Sequence, residues 1–415
     1  MVLRSRGLII GLVIALSLVL LAFNVQKKNE VFGDRLELTP VVNVQEFGAK
    51  GDGVTDDQRS IVKAIAYAKS NNFTVYFPSG HYKHSDIIVL DGVQAYGDGF
   101  TSILDGTDPA HTAIKLTGNN SSIKDVRKTT SNVVKRRSNR ESANILIDNA
   151  DYFIVERVLS EQCAGAGILS FTGKNGKILE NKIQNTLADG IHMTHGSEDI
   201  SVVKNTVYNS GDDMIAVVSY VVYGSKCKRI TIDDNECDTQ VIGRGISVVG
   251  GDNVSITNNK IKNCYSAGIY IYSEDSYNTY GCEDISIINN IVENSGNATV
   301  PMASLHVGGR KGYETKNISS KNNIFKGCRY RGAAVTKMSS FKSLSDTFNS
   351  VIGQGIFLLE VTDFLIEVTD LNTAGNGGIY ADRLCAGQVL VKDNTPININ
   401  TINRKPVRLQ AETDF

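Results

Sequence analysis

Residues 181–217 read NKIQNTLADGIHMTHGSEDISVVKNTVYNSGDDMIAV and contain one short pattern twice. The pattern is an Asn, any residue and an apolar residue, followed by a turn and the start of a new apolar strand. It begins at Asn181 and again 24 residues later at Asn205, and the new strands begin at Gly190 and Met214. Self-similarity at a fixed period of this length is typical of repeat architectures.

The pattern continues in both directions along the chain. Its Asn residues are Asn181, Asn205, Asn235, Asn259, Asn290 and Asn323. Its strands start at Gly167-Ile168, Gly190-Ile191, Met214-Ile215, Gly245-Ile246, Gly268-Ile269, Gly355-Ile356 and Gly378-Ile379. A unit of about 23 residues has room for three short strands and three turns, and no helical period separates the strands. The sequence therefore predicts an all-β protein, a parallel β-helix.

Stacked coils would place the repeated Asn residues in a ladder, where each amide can bond to the amides above and below. The open end of the stack must be covered. Residues 55–58 (TDDQ) have the form of a capping box, and Ile61, Ala64, Ile65 and Ala68 follow at helical spacing. We expect an amphipathic capping helix in a segment at about residues 41–80.

Composition excludes several classes of protein. The 415 residues carry 43 basic and 44 acidic side chains, so no global charge favours nucleic acid. Trp is absent, so Tyr or Phe must supply any platform that stacks on sugar rings. The odd cysteine count and the lack of a CxxC pair argue against a metal-thiolate site or a full disulfide framework. We interpret the cysteines as small buried hydrophobes: Cys163, Cys227, Cys237, Cys264, Cys282, Cys328 and Cys385.

The N-terminus has the features of a membrane-targeting segment. Arg4 and Arg6 precede an uncharged stretch, residues 7–26, with a dense apolar run from Leu8 to Phe23. We interpret residues 1–30 as a signal peptide or an uncleaved signal anchor that can contact the membrane. Residues 31–415 then form the β-helix domain on the extracytoplasmic side. We expect a monomer.

A segment near the start of the repeat resembles the entry segment of a known family. It covers residues 42–66, with FGAKGDG at 47–53 and TDD at 55–57, and FPSGHY follows at 77–82. That family is the pectate-lyase-like superfamily of right-handed, single-stranded parallel β-helices. Phage tailspikes, lyases and hydrolases share this fold. The resemblance therefore implies the architecture and leaves the activity open.

Residues 185–192 (NTLADGIH) and 211–217 (GDDMIAV) resemble the two acidic motifs of the polygalacturonases, glycoside hydrolase family 28, which read NTDGxD and GDDCIAI. Residues 243–247 (GRGIS) stand where that family has GHGxS, and residues 268–272 (GIYIY) where it has GxRIK. The resemblance implies that Asp212 is the general acid and that Asp189 and Asp213 activate water in an inverting reaction.

Two departures from these patterns concern the substrate. Arg244 stands at the family's histidine, and Tyr270 and Tyr272 replace the basic pair that grips a galacturonate carboxylate. The resemblance therefore implies the hydrolytic machinery more than plain polygalacturonate as substrate.

The repeat itself brings the same residues together. Asp189, Asp213 and Arg244 each immediately precede a strand start, one coil apart, and adjacent strands lie about 4.8 Å apart. Crowded carboxylates cannot all ionise easily, so one should have a raised pKa and hold a proton beside a base. Inversion needs this division of labour, with about 6.5–9.5 Å between acid and base for a water.

Other interpretations of these residues remain open. The three aspartates could form a turn ladder neutralised by Arg244, or a Ca²⁺ site, although we predict no metal and no cofactor. Arg244 could be a counter-charge, or it could orient a carboxylate or bind substrate. His192, Tyr270 and Tyr272 share the outward face beside the acidic cluster, and we expect them to bind substrate.

Two further groups of residues have simpler expectations. We expect His195 and His306 to be ordinary loop or surface histidines. A basic run is expected in a mobile loop, and if that loop folded over the groove it would favour an anionic polysaccharide. The run comprises Lys124, Arg127, Lys128, Lys135, Arg136, Arg137 and Arg140.

The leading hypothesis is an extracytoplasmic polysaccharide hydrolase. The first alternative is a uronate lyase or epimerase, in which Arg244 or a Tyr abstracts a proton next to a carboxylate. The second alternative is a non-catalytic, glycan-binding adhesin on the same stack of coils.

Overall fold

A computed structural model describes residues 40–238, 242–373, 378–390, 396–400 and 407–409. The segment predicted to be a signal peptide or anchor, residues 1–30, lies outside the described residues. In the described ranges, no helix is long and apolar enough to cross a membrane.

The chain winds into a parallel β-helix, as predicted, with three strands in each coil. We number the three sheets in the order in which one coil passes through them. Sheet 1 contains Ile88–Asp91, Ile114–Asn119, Ile145–Asp151, Ile168–Phe171, Ile191–Thr194, Ile215–Val218, Ile246–Val249, Ile269–Tyr272, Leu305–Gly308 and Ile379–Ala381. Sheet 2 contains Val41–Asn43, Thr74–Phe77, Gln94–Gly97, Ser122–Lys124, Ile154–Glu156, Lys177–Leu179, Glu198–Val203, Lys228–Asp233, Asp252–Thr257, Glu283–Ile288, Thr315–Lys321 and Ala386–Leu390. Sheet 3 contains Asp52–Asp56, Gly80–His84, Ser102–Gly106, Arg127–Thr130, Leu159–Cys163, Lys182–Thr186, Thr206–Ser210, Glu236–Asp238, Lys260–Lys262, Ile291–Glu293 and Ile324–Lys326.

The last coils are built differently. Ala333–Val351 and Ile356–Thr373 are long strands that pass through all three sheets and pair with each other in parallel. Beyond them, Pro396–Asn400 and Val407–Leu409 pair antiparallel with strands of sheets 2 and 1. Short 3₁₀ turns occupy Val44–Phe47, Gly99–Thr101, Arg140–Ser142 and Val221–Tyr223.

The alternation in the sequence sets which side chains enter the core. In sheet 1, Ile191 pairs with Ile168 below and Ile215 above, and all three are fully buried. His192 lies between Ile191 and Met193 and points the other way, since successive side chains of a strand alternate. The outward face of sheet 1 is therefore a column of equivalent positions, one for each coil.

The Asn ladder is confirmed. Each side-chain amide donates to the Oδ1 of the next Asn at 2.9 Å, from Asn181 up to Asn323, and the last donates to Asp346 at 2.9 Å. Each amide also donates to a strand carbonyl of the coil below, as Asn235 does to Val202. Buried backbone oxygens at the turns are satisfied in this way, so the turns can stay short.

The capping helix spans Gln58–Asn71 and buries the four predicted side chains, Ile61, Ala64, Ile65 and Ala68. The predicted capping box of residues 55–58 is wrong, because the helix begins only at Gln58. The Asp57 carboxylate does not cap the helix but accepts hydrogen bonds from the backbone N–H groups of Lys50 and Gly51 at 2.7 and 3.0 Å. Asp57 thus fixes the glycine-rich entry loop. All seven cysteines are buried, as expected.

Candidate active site

Two successive turns between sheets 3 and 1 bring the predicted aspartates together, with Asp189 in the first and Asp212 and Asp213 in the second. Asp189, Asp212 and Asp213 each present a carboxylate oxygen, and these oxygens all lie within 4.8 Å of one another. The backbone N–H of Asp213 donates to Asp189 Oδ1 at 3.0 Å. Gly243, in the next turn, lies so close to the backbone of Asp212 that a Cβ atom would overlap with it. The expected convergence of the three aspartates is therefore observed.

Asp213 is buried and held by fixed donors. Its Oδ1 accepts from the backbone N–H of Arg244 at 3.0 Å and from Arg244 Nε at 2.8 Å, and its Oδ2 accepts from the Ser247 hydroxyl at 2.5 Å. The guanidinium also pairs with Glu274 at 2.8 Å. Burial opposes the charge of Arg244, but Asp213 and Glu274 outweigh it and raise the arginine's pKa. Arg244 is therefore a permanent counter-charge that orients Asp213.

Asp189 is paired with a histidine. His192 Nδ1 lies 2.6 Å from Asp189 Oδ2. Burial alone would raise the pKa of Asp189, but the charge and hydrogen bond of His192 outweigh it and hold that pKa below its usual value. Burial likewise opposes protonation of His192, yet Asp189 raises the histidine's pKa. Nε2 of His192 has no hydrogen-bond partner among the described residues.

Asp212 differs from its two neighbours. Its side chain is 34% exposed and accepts a hydrogen bond from Arg136 Nη1 at 2.8 Å. Burial raises the pKa of Asp212, and the charges of Asp189 and Asp213 add to the rise, while Arg136 opposes it. The cluster thus combines one carboxyl with a raised pKa and one, Asp189, with a lowered pKa.

The two tyrosines do not form the expected exposed platform. Tyr270 is only 4% exposed and lies beneath Arg244, whose guanidinium carbon is 4.3 Å from the ring centroid. Tyr272 stacks on it at 5.3 Å, and His306 packs against both rings at 5.6 Å. Exposure was the wrong prediction for Tyr270, because its ring belongs to a second apolar cluster on this outward face, whereas Tyr272 is half-buried. Tyr270 can position Arg244, but its ring cannot stack on a sugar.

The expectation of ordinary loop or surface histidines is met by the position of His195, which lies in a turn, but not by His306, which lies on a strand. His306 is half-buried on the strand Leu305–Gly308, and burial lowers its pKa to about 4. His195 stacks between Phe171 and Tyr223, with ring centroids 3.6 and 3.4 Å away.

The predicted basic loop divides into two parts. Lys124, Arg127 and Lys128 lie on strands, and the side chain of Lys128 is fully buried. Arg136 and Arg140 instead fold against sheet 1 and line a cleft of about 630 Å³. The cleft also contains Asp189, His192, His195, Tyr220 and Tyr223. A cationic wall therefore faces the outward side of sheet 1.

Sequence reasoning missed several of these residues. Ser247 and Glu274 both contact the Arg244–Asp213 pair, and Ser247 lies in the GRGIS segment itself. Ser247 is two positions after the strand-start glycine, as His192 is, so the repeat phase could have identified it. Glu274 and Arg136 come from segments outside the repeat, whose path no periodicity describes.

The carboxylate oxygens lie closer together than the interval of about 6.5–9.5 Å expected between the acid and base of an inverting hydrolase. The same three groups have the chemistry of a divalent-cation site, because hard cations prefer carboxylate oxygens. His192, Arg136 and Arg244 each already pair with one carboxylate of the cluster. Cationic side chains of the protein thus balance the charge of the cluster.

Comparison with known proteins agrees with the fold. The model of a family described as rhamnogalacturonase A/epimerase, pectate lyase-like, matches residues 41–270, and a model of the right-handed β-helix region matches residues 244–403. The mannuronan C5-epimerase AlgE4 of Azotobacter vinelandii is 40% identical over 90 residues, 18% of this chain. The match spans only 15% of that epimerase.

Two solved structures with unlike descriptions share the fold. The catalytic domain of a GH87 α-1,3-glucanase, in complex with tetrasaccharides, superposes with a TM-score of 0.66 at 18% identity, over 87% of this chain and 68% of that one. The Streptococcus pneumoniae surface protein and adhesin PfbA gives 0.63 at 16% identity, over 82% and 99%. At these identities the likeness shows the fold. Because its family model covers more than half of the chain and its coils carry the expected right-handed β-helix, the protein belongs to the rhamnogalacturonase A/epimerase, pectate lyase-like family.

Proposed function

We propose that this protein is an enzyme acting on a polysaccharide, and specifically a glycoside hydrolase with Asp212 as its acid. The main observation behind this proposal is that Asp212, whose carboxyl has a raised pKa, lies beside the carboxyls of Asp189 and Asp213, which fixed hydrogen bonds hold in place. Glycoside hydrolysis needs an acid for the leaving oxygen and a carboxylate for the attacking group. The glucanase and epimerase similarities are consistent with a polysaccharide substrate.

In the proposed reaction, Asp212 donates its proton to the glycosidic oxygen as the bond from that oxygen to the anomeric carbon breaks. A water held by Asp189 and Asp213 attacks the anomeric carbon, and its proton passes to Asp189. The fragment that keeps the glycosidic oxygen leaves with the proton from Asp212, and the other fragment gains a new reducing end. Proton exchange with solvent then returns Asp212 to its protonated form and Asp189 to its ionised form. His192 stabilises the ionised form of Asp189 between turnovers.

Burial and fixed donors favour water as the attacking group. Asp189 and Asp213 are only 8% and 3% exposed, and the backbone and side-chain donors described above hold both. Neither can swing towards an anomeric carbon, whereas each can still accept a hydrogen bond from water. This supports inversion in spite of the short spacing. Proton NMR of the first product tests it, since inversion gives the anomer opposite to the substrate linkage.

A uronate lyase or epimerase is the second candidate. Its originally expected bases fit poorly, because Arg244 is paired with two carboxylates and burial raises the pKa of Tyr270. His192 favours it, since its partnerless Nε2 lies beside a cationic wall. A lyase makes an unsaturated sugar that absorbs in the ultraviolet, and an epimerase leaves chain length unchanged. Either result in place of saturated reducing ends would replace the hydrolase proposal.

The non-catalytic alternative has one observation in its favour, the structural likeness to an adhesin. It predicts that the protein binds a glycan and leaves every bound glycan intact. A substrate screen with neutral and acidic polysaccharides separates it from the enzymatic proposals. The same screen tests whether the reaction requires a cation. We propose that it does not, so the reaction should proceed after exhaustive dialysis of the protein against EDTA.

The decisive variant is Asp212→Asn, which keeps the shape of the side chain and removes its proton. We expect reducing-end release to fall by roughly 10²- to 10⁴-fold, the usual contribution of a general acid. Asp363→Asn is the matched control, because Asp363 lies on the surface in a late coil. Unchanged hydrolysis in Asp212→Asn would remove Asp212 from the acid's role.

We further propose that the enzyme works outside the cytoplasm, from the charge and apolarity of residues 1–30. Protease treatment of intact cells expressing the full chain tests this. Digestion of the β-helix domain in intact cells is expected, and protection of the domain until lysis would contradict it.

A further inference from the structure

An aromatic column stands at the far end of the cleft, away from the aspartates. The rings of Phe171, His195 and Tyr223 follow one another in that order, with centroids 3.6 and 3.4 Å apart and each pair of ring planes tilted by 32°. Tyr220 meets Tyr223 edge to face at 5.8 Å. The guanidinium of Arg140 covers the other end, 4.3 Å from the Phe171 ring centroid. All five side chains line the cleft.

The column is built by three successive coils. Phe171 ends one strand of sheet 1, and His195 directly follows the next strand, Ile191–Thr194. Tyr223 comes from the 3₁₀ turn Val221–Tyr223, which follows the third strand. His195 has a left-handed backbone, with φ of 55°, and Gly196 follows with φ of 72°. This conformation is uncommon for residues other than glycine, and here it accompanies the stacking of the imidazole between the two flanking rings.

The column has an accessible end. Tyr223 is 50% exposed although one of its faces packs on His195. The imidazole is neutral above acidic pH, because burial and the charge of Arg140 lower the pKa of His195 to about 4. An uncharged aromatic surface with hydroxyl groups at its edge matches the C–H face and the hydroxyls of a pyranose ring.

The column's position relates it to the aspartates. Asp189 and His195 flank the same four-residue strand, Ile191–Thr194, which extends over about 13 Å. The column therefore lies one strand length from the acidic cluster, in the same cleft. Of the two tyrosines expected from the sequence to stack on sugar, Tyr270 is buried beneath Arg244 and Tyr272 is half-buried.

We propose that the column formed by Phe171, His195, Tyr220 and Tyr223 is a carbohydrate subsite, in which a pyranose ring stacks on the exposed Tyr223. The proposal deepens the function proposed above and rests on it for the ligand class. The bound unit belongs to the glycan whose neighbouring linkage lies at Asp189, or to a branch of that glycan. Arg140 places a positive charge at the end of the column.

The experiment measures binding to full-length Asp212→Asn protein by isothermal titration calorimetry. The probes are tetrasaccharides of α-1,3-glucan, alginate and polygalacturonate. In this background Tyr223→Ala should weaken binding of the preferred probe roughly tenfold, the size of one lost stacking contact. Tyr223→Phe keeps the ring and should stay within about twofold. Tyr208→Ala is the control, since Tyr208 is 54% exposed on sheet 3 and outside the cleft.

Equal dissociation constants for Tyr223→Ala and its parent would overturn the subsite, as would the absence of binding to all three probes. Thermal unfolding of Tyr223→Ala within about 2 °C of the parent, roughly the shift from a small surface change, excludes misfolding as the cause of a loss. Reducing-end release by the wild type on the same sugars separates the two proposals. If binding depends on Tyr223 but no reducing ends are released, the subsite stands and the hydrolase proposal fails. If reducing ends are released but binding does not depend on Tyr223, the hydrolase proposal stands and the subsite fails.

Discussion

Nδ1 of His192 lies 2.6 Å from Oδ2 of Asp189, while its Nε2 has no hydrogen-bond partner within the described ranges. The pair places an imidazole between a buried carboxylate and the cleft. His192 lowers the pKa of Asp189 from its usual value and Asp189 raises that of His192, so the two groups favour the ion pair over a wider pH range than either would alone.

The first prediction concerns stability against pH. The raised pKa of His192 means that its contribution to the free energy of unfolding is fully present below pH 6.5 and is lost as pH rises through the folded-state pKa. In His192→Gln that loss should be absent. Urea unfolding from pH 5 to 9 checks this, with wild type losing more stability than the variant across the upper part of the range. Parallel curves would contradict the ion pair.

The second prediction concerns Arg136, whose charge and hydrogen bond oppose the rise in the pKa of Asp212. A general acid must be protonated, so the rate falls as pH rises through its pKa. Arg136→Gln should therefore move the alkaline limb of the kcat/KM profile to higher pH. Arg137→Gln, a neighbour on the same cleft wall, is the control and should leave the limb in place. A limb that moves to lower pH in Arg136→Gln would contradict the assignment.

The third prediction concerns the buried pair of Arg244 and Asp213. Arg244→Met leaves the carboxylates of Asp213 and Glu274 without their counter-charge, which should destabilise the fold by about 3–5 kcal/mol. The exposed Arg229→Met, which breaks surface pairs with Glu198 and Asp199, should destabilise the fold much less, because solvent screens these pairs. Chemical denaturation measures both. Equal losses in the two variants would show that burial of the Arg244 pair has no energetic consequence.

The fourth prediction concerns the Asn ladder. In Asn235→Ala, the amide that donates to Asn259 and to the Val202 carbonyl is removed, and the donor groups of Asn205 lose their acceptor. Buried unsatisfied groups cost about 1–3 kcal/mol each, so a loss of at least about 2 kcal/mol is expected. Asn71→Ala, at the exposed end of the helix, should change stability by less than about 0.5 kcal/mol. A ladder variant as stable as this control would contradict the proposed role.

The repeat made the coils, the Asn ladder and the meeting of Asp189 with Asp213 predictable. A residue's position within the repeat determines the face on which its side chain lies and the residues above and below it in the neighbouring coils. The same phase could not show that Tyr270 is covered. Alternation separates inward from outward positions, but residues from other turns decide whether an outward position meets solvent. Arg136 and Tyr223 belong to segments between repeats, and their approach to the cleft depends on packing that no periodicity describes.

The claim on which the proposed reaction depends is that Asp212 keeps a proton that Asp189 has lost. Carbon-13 NMR titration of aspartate carboxyl groups measures this directly, with Asp212→Asn and Asp189→Asn spectra to assign the two signals. We predict a midpoint for Asp212 above 3.8 and one for Asp189 below 3.8, with the Asp212 midpoint falling in Asp189→Asn. A midpoint for Asp212 at or below that of Asp189 would contradict its role as the acid.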